Sequence, residues 1–225
     1  MFRVLSISGV VVLFLFSHII YGQSTKRYEF KSMIIDYETE SSVMGTKTKG
    51  TKTVWIDQFG EKEASYTKAT TTMSLLGMNS TEEKEDLSII DGKTAYTINL
   101  IEKTGFKSDI TEMQNMANAF ALNYQRNGKK YKNLREFVED NKGEWIGEET
   151  FLGKKCEVFV LMEVKMWMYK NVVLKSEGQM KGMDITETAK SIQEGVSIPK
   201  DKFKVPAGIT LTDMPKGFDM ETDEE

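Results

Sequence analysis

Beyond residue 22 the chain contains no histidine; its one copy, His18, stands inside an N-terminal apolar stretch. Serine–histidine and cysteine–histidine nucleophile systems, histidine general bases and the usual zinc sites are thereby excluded from the remainder. Cysteine is as scarce. Cys156 is the only one, so no internal disulfide can form. It stands in GKKCEVFVLMEV, a strand-like run with no histidine to activate a thiol, and reads as a small buried hydrophobe. The three prolines, Pro199, Pro206 and Pro215, all fall late in the sequence, and no proline- or glycine-rich linker of useful length interrupts it. No G-x-S-x-G, H-E-x-x-H, P-loop or EF-hand loop occurs. With 30 basic and 34 acidic side chains the net charge is −4, and no basic footprint for nucleic acid is present. No catalytic residue, metal ligand or cofactor site is nominated, and an enzyme is not expected.

What is there begins with MFRVLSISGVVVLFLFSHIIYGQS, with one positive charge at Arg3, an apolar run from Val10 to Phe16, and the small residue Gly22 before Gln23. This is the order of a secretory signal peptide, and the run is short of the ~20 apolar residues of a membrane-spanning helix. Residues 1–22 are therefore expected to be removed, and the mature chain to be periplasmic or extracellular. No cysteine lies near the cleavage site to carry a lipid anchor. The remaining chain, about 200 residues, is enough for one domain with its own core. Its last stretch, KGFDMETDEE at 216–225, reads as an acidic flexible tail.

From Lys26 to about Leu100, short alternating segments broken by turn residues predict antiparallel strands. A bulge is expected around Met33 to Ile35, bends at Gly45 and Gly50, and a polar loop from Asn79 to Glu85. Asp91-Gly92 between apolar runs predicts a hairpin, as do Gly153 and Lys170-Asn171 further on. MDITETAKSIQEGVSI reads as a strand, with helix left open by its alanine and glutamate. In the middle the period changes. In DITEMQNMANAFALNYQRNG, residues Ile110, Met113, Met116, Phe120 and Tyr124 recur at steps of three and four, between an Asp109/Glu112 start and an Arg126/Gly128 stop. NLREFVEDN repeats the pattern with Asn133/Glu136 and the stripe Leu134, Phe137, Val138. The expectation is an α+β fold over 23–215: a single curved antiparallel β-sheet, an open half-barrel, with a helical insertion at about 109–141 packed on or over the concave face.

Three segments resemble the LolA-type periplasmic lipoprotein-carrier fold, and more closely the secreted, uncharacterised domains related to it. They are the hairpin IIDGKTAYTINLIEKTG, the meander FLGKKCEVFVLMEVKMWMYKNVVLKSEGQMKGMDITETAK, and the closing DKFKVPAGITLTD. The resemblance implies a half-barrel sheet and an apolar cavity. In the carrier an arginine in a basic-proline segment serves substrate handling; the comparable FGEKEASYTKAT has neither arginine nor proline, so the carrier activity itself is not implied.

Methionine repacks around varied apolar partners, which makes the stripe of Met113, Met116, Phe120 and Tyr124 either a lid over a cavity or plain core. Trp55, Trp167 and Tyr169 are the remaining cavity candidates. The function expected is an exported, non-enzymatic, monomeric binding module for an acyl chain, lipid or lipidated peptide. The alternative is a cell-envelope interaction or structural domain with a filled core, partnered by another protein.

Overall fold

Threonine and β-branched residues recur along the chain at the spacing a pleated surface requires. The result, in the computed structural model, is a protein built almost wholly of strands. The structure describes residues 27–75, 78–111, 131, 133–180 and 182–214. The signal-peptide segment, the helix expected from 109 to 128 beyond its first residues, and the acidic tail lie outside the described residues.

The strands are β1 (Met33–Val43), β2 (Thr46–Asp57), β3 (Lys62–Leu75), β4 (Met78–Asp91), β5 (Thr94–Asn99), β6 (Thr104–Asp109), β7 (Glu144–Phe151), β8 (Lys154–Leu161), β9 (Val164–Tyr169), β10 (Val172–Met180), β11 (Met183–Glu194) and β12 (Thr210–Asp213). They form one sheet in the order β12-β6-β5-β4-β3-β2-β1-β11-β10-β9-β8-β7. Most of it is a meander, closed in the middle by β1 pairing with β11. Among these strands only β12 runs parallel to its neighbour, β6. Among the described residues the α-helical element is α1 (Leu134–Asp140).

The expected α+β class is therefore overturned. Inserted helices were expected to cover the sheet, but much of that cover comes from extended segments of the chain itself. In β1 and β2, Met33, Ile35, Val54 and Ile56 share one face, where Tyr28 and Phe30 from the strand-free start pack on them. On the other face Ile34, Trp55, Ala64 and Ile89 lie in one register row, and Ile198 and Phe203 from the segment after β11 cover it. α1 covers a smaller area, placing Leu134, Phe137 and Val138 against Phe159, Leu161 and Met166. Among the described residues no helix is long and apolar enough to cross a membrane.

Local signals act as their chemistry requires. The Asn133 side chain accepts the Glu136 N–H at 2.9 Å, capping α1. Asp109 accepts the Thr111 N–H at 2.8 Å just where a helix start is expected. The turns Leu152-Gly153 and Lys170-Asn171 have positive φ at both positions, the geometry that matches strand twist. Three expectations fail. The bulge falls between Asp36 and Tyr37 rather than at 33–35. Asn79 to Glu85 is not a loop but part of β4, paired with β3 from Ser74 back to Lys68. Gly50 is no bend; it sits within β2, where a Cβ would meet the Lys68 carbonyl oxygen at 2.5 Å, so close strand approach is what excludes a side chain there.

Candidate functional site

The register of β2, β3 and β4 brings Thr53, Tyr66 and Leu87 into one row and Trp55, Ala64 and Ile89 into the next, on the same face. Ala64 and Ile89 of that row are buried beneath the segment after β11. The wall comes from the far end of the chain. After β11 the chain is clamped where Gly195 N–H donates to the Ser32 carbonyl at 2.9 Å and Ser32 Oγ donates to the Val196 carbonyl at 2.8 Å. It then sinks Ile198 and Phe203 into the core through a 3₁₀ turn, Lys200–Phe203. It is clamped again where Thr210 N–H donates to the Lys103 carbonyl and β12 joins β6.

Between strap and sheet lies a groove of about 440 Å³, lined by Thr53, Trp55, Tyr66 and Leu87 from the sheet and by Asp201, Lys202, Lys204 and Pro206 from the strap. The Lys202 ammonium stands 4.9 Å from the Trp55 ring centroid, within cation–π range. The polar groups below are already satisfied. Thr53 Oγ1 donates to Asp36 at 2.7 Å and Ser191 Oγ to the same carboxylate at 2.6 Å. Tyr66 donates its hydroxyl proton to Glu85, and that hydrogen bond raises the phenol above its ordinary range. Trp55 and Leu87 thus give the floor aromatic and aliphatic surface, with Asp201, Lys202 and Lys204 on the rim.

Of the residues expected to line a cavity, Trp55 lies in this groove. Trp167 does not. It is 5% exposed in the core beside Cys156 and Val158, its indole N–H donates to Glu149 at 2.7 Å, and Lys165 and Lys175 stand 4.3 and 4.2 Å from its ring centroid. Tyr169 is half-buried at the edge of that core and donates to Glu194 at 2.9 Å. Met113, Met116, Phe120 and Tyr124 lie outside the described residues. Cys156 is fully buried, and burial pushes its thiol up from the ordinary value, away from thiolate chemistry. Among the described residues no group of three histidine, cysteine, aspartate or glutamate side chains is placed to hold a metal ion. Sequence reasoning missed Tyr66, Leu87 and the lysines of the strap. Tyr66 was recoverable from strand alternation, whereas nothing local announces which face a strap will cross.

No family model matches the chain, and no curated protein matches it. Solved structures do. An uncharacterized conserved protein from Thermus thermophilus aligns at TM-score 0.48 and 6% identity, over 91% of this chain and 99% of that one. A DUF1329 family protein from Desulfovibrio piger aligns at 0.31 and 10%, over 78% and 90%. An outer membrane lipoprotein-sorting protein domain from Vibrio parahaemolyticus aligns at 0.30 and 10%, over 77% and 89%. All three scores lie below 0.5, too low to carry an argument about activity.

Proposed function

We propose that the protein is an exported, non-enzymatic binding module that holds an apolar ligand, such as an acyl chain, a lipid or a lipidated peptide, against the sheet in the groove under the C-terminal strap. The observation that carries this reading is the groove over Trp55. Its volume of about 440 Å³ falls in the range of small-molecule sites, and Trp55 and Leu87 give its floor apolar surface beside Thr53 and Tyr66, whose hydroxyls are already hydrogen-bonded. The resemblance of three segments to the lipoprotein-carrier fold points the same way. The signal-like N-terminus supports export.

The test is a native mass measurement on protein purified from its own cell envelope without detergent exchange. A co-purifying lipid mass that disappears in the Trp55→Ala variant is expected. The competing reading, a filled core without ligand, draws on Trp167, whose ring is packed and hydrogen-bonded within the core; a ligand-free mass for the wild type favours it.

A further inference from the structure

Four neighbouring hairpins, β3–β4, β1–β2, β10–β11 and β8–β9, turn at the same end of the sheet. The register fixes this. Val43 pairs with Thr46 and Thr46 with Met73, Ser42 pairs with Asp184 next to Met183, and Gln179 N–H donates to the Glu163 carbonyl in the last turn. At this end Met44 is 91% exposed, Met162 66%, Met73 43% and Val43 36%. Backbone pairing sets Leu75 opposite Met78 and Met180 opposite Met183 at two of the tips. Six of the fourteen methionines therefore fall on one rim.

Two of these methionines sit where neither burial nor backbone favours them. Met44 has φ of +45° and Met162 +51°, the left-handed region in which asparagine, aspartate or glycine is the ordinary choice for a hairpin turn. At the opposite end Gly92 and Asn171 carry such ordinary turn chemistry, while Leu152, at φ +48° and 45% exposed, stands in its turn as Met44 and Met162 do in theirs. Exposed methionine at a left-handed position meets no folding need.

We propose that this rim inserts into the interfacial layer of a lipid bilayer, with Met44 and Met162 as its leading side chains. Two features select lipid over a protein partner. Strand spacing of ~4.8 Å spreads four hairpins along a line of roughly 35 Å, and their exposed apolar area is on the order of a few hundred Å², against the ~800 Å² per partner of a stable protein interface. At the β1–β2 tip the strands also pair up to the turn, so few backbone groups there need water; Val43 pairs with Thr46 and the Gly45 carbonyl accepts the Ser74 N–H at 3.0 Å. Charge is not the driver. Lys47 and Lys49 share the Glu40 carboxylate at 2.6 and 3.2 Å, while Glu163 and Asp184 stand at neighbouring tips.

The experiment is co-flotation of residues 23–225 with phosphatidylcholine vesicles, with and without phosphatidylglycerol, at low salt and at about 0.5 M NaCl, where charge attraction is screened within roughly 4 Å. Binding to both compositions that survives salt is expected. Met44→Asn with Met162→Asn, which suits both turns, should leave the unfolding temperature unchanged or higher and reduce vesicle partitioning at least tenfold. Absence of flotation by the parent, or equal flotation by the well-folded double variant, overturns the proposal. So does a concentration-dependent dimer in lipid-free solution that the double variant abolishes, because the rim is then a protein contact.

Discussion

Glu63 is 4% exposed and charged, which needs a partner to be tolerated. It has two. Arg27 Nη2 lies 3.1 Å from its carboxylate and the Tyr28 hydroxyl donates to it at 3.0 Å, so the strand-free start of the domain, in which the Tyr28 and Phe30 rings stack on each other, is bound to β3 by a buried ion pair. Removing one member strands the other. Glu63→Ala is predicted to lose about 3–5 kcal/mol, the usual result of leaving a buried charge uncompensated, as read by urea denaturation. A loss below ~1 kcal/mol would mean that the pair behaves as a solvated surface bridge.

Between elements the counterpart of this residue is Glu194, at the end of β11. It accepts from Lys170 at 2.5 Å and Tyr169 at 2.9 Å in the β9–β10 turn and meets Lys154 of β8 at 3.4 Å, joining three strands at one corner. Burial alone would raise its pKa, but these donors outweigh it and hold the carboxyl below its ordinary 4.5. A depressed folded-state pKa contributes stability above the unfolded value and loses it as pH falls through the folded one. Glu194→Gln should therefore be less stable than the parent at about pH 7, and the gap should close as pH falls below 4.5. Parallel stability curves across that range would show that these donors do not stabilise the ionised carboxyl.

Elements with a local code were legible in the sequence. The turns at Asp91-Gly92, Gly153 and Lys170-Asn171 announce themselves through left-handed positions, and α1 through the Asn133 cap. The Asn79–Glu85 stretch was not legible as strand. Its residues from Asn79 to Glu83 are all exposed, so no buried face imposes alternation, and pairing with β3 alone decides their state. The fold class failed for a related reason. Periodicity identifies a helix but not what covers a sheet, and here extended segments around Tyr28 and Phe203 take up apolar faces that were assigned to helices. Of the site, Trp55 was legible as an aromatic in an alternating strand. The strap was not, because Lys202 and Lys204 become groove residues only once Ile198 and Phe203 have docked.

At the scale of the whole molecule, the two terminal strands of the sheet are guarded, while the first half of β4, residues 78–84, pairs on one side only among the described residues. β12 is four residues long, and β7 carries a bulge between Trp145 and Gly147 together with Glu144, Glu148 and Glu149. On the proposed function, the face under the strap takes an apolar ligand and the Trp167 core does not. Titration with a fluorescent fatty-acid probe tests it most directly. The wild type should bind in one saturable phase, and Trp55→Ala should weaken binding at least tenfold, about 1.4 kcal/mol. Trp167→Ala should instead lose about 3–5 kcal/mol of stability while the folded fraction binds as before. No saturable binding by the wild type, or equal affinity in Trp55→Ala, would contradict the claim.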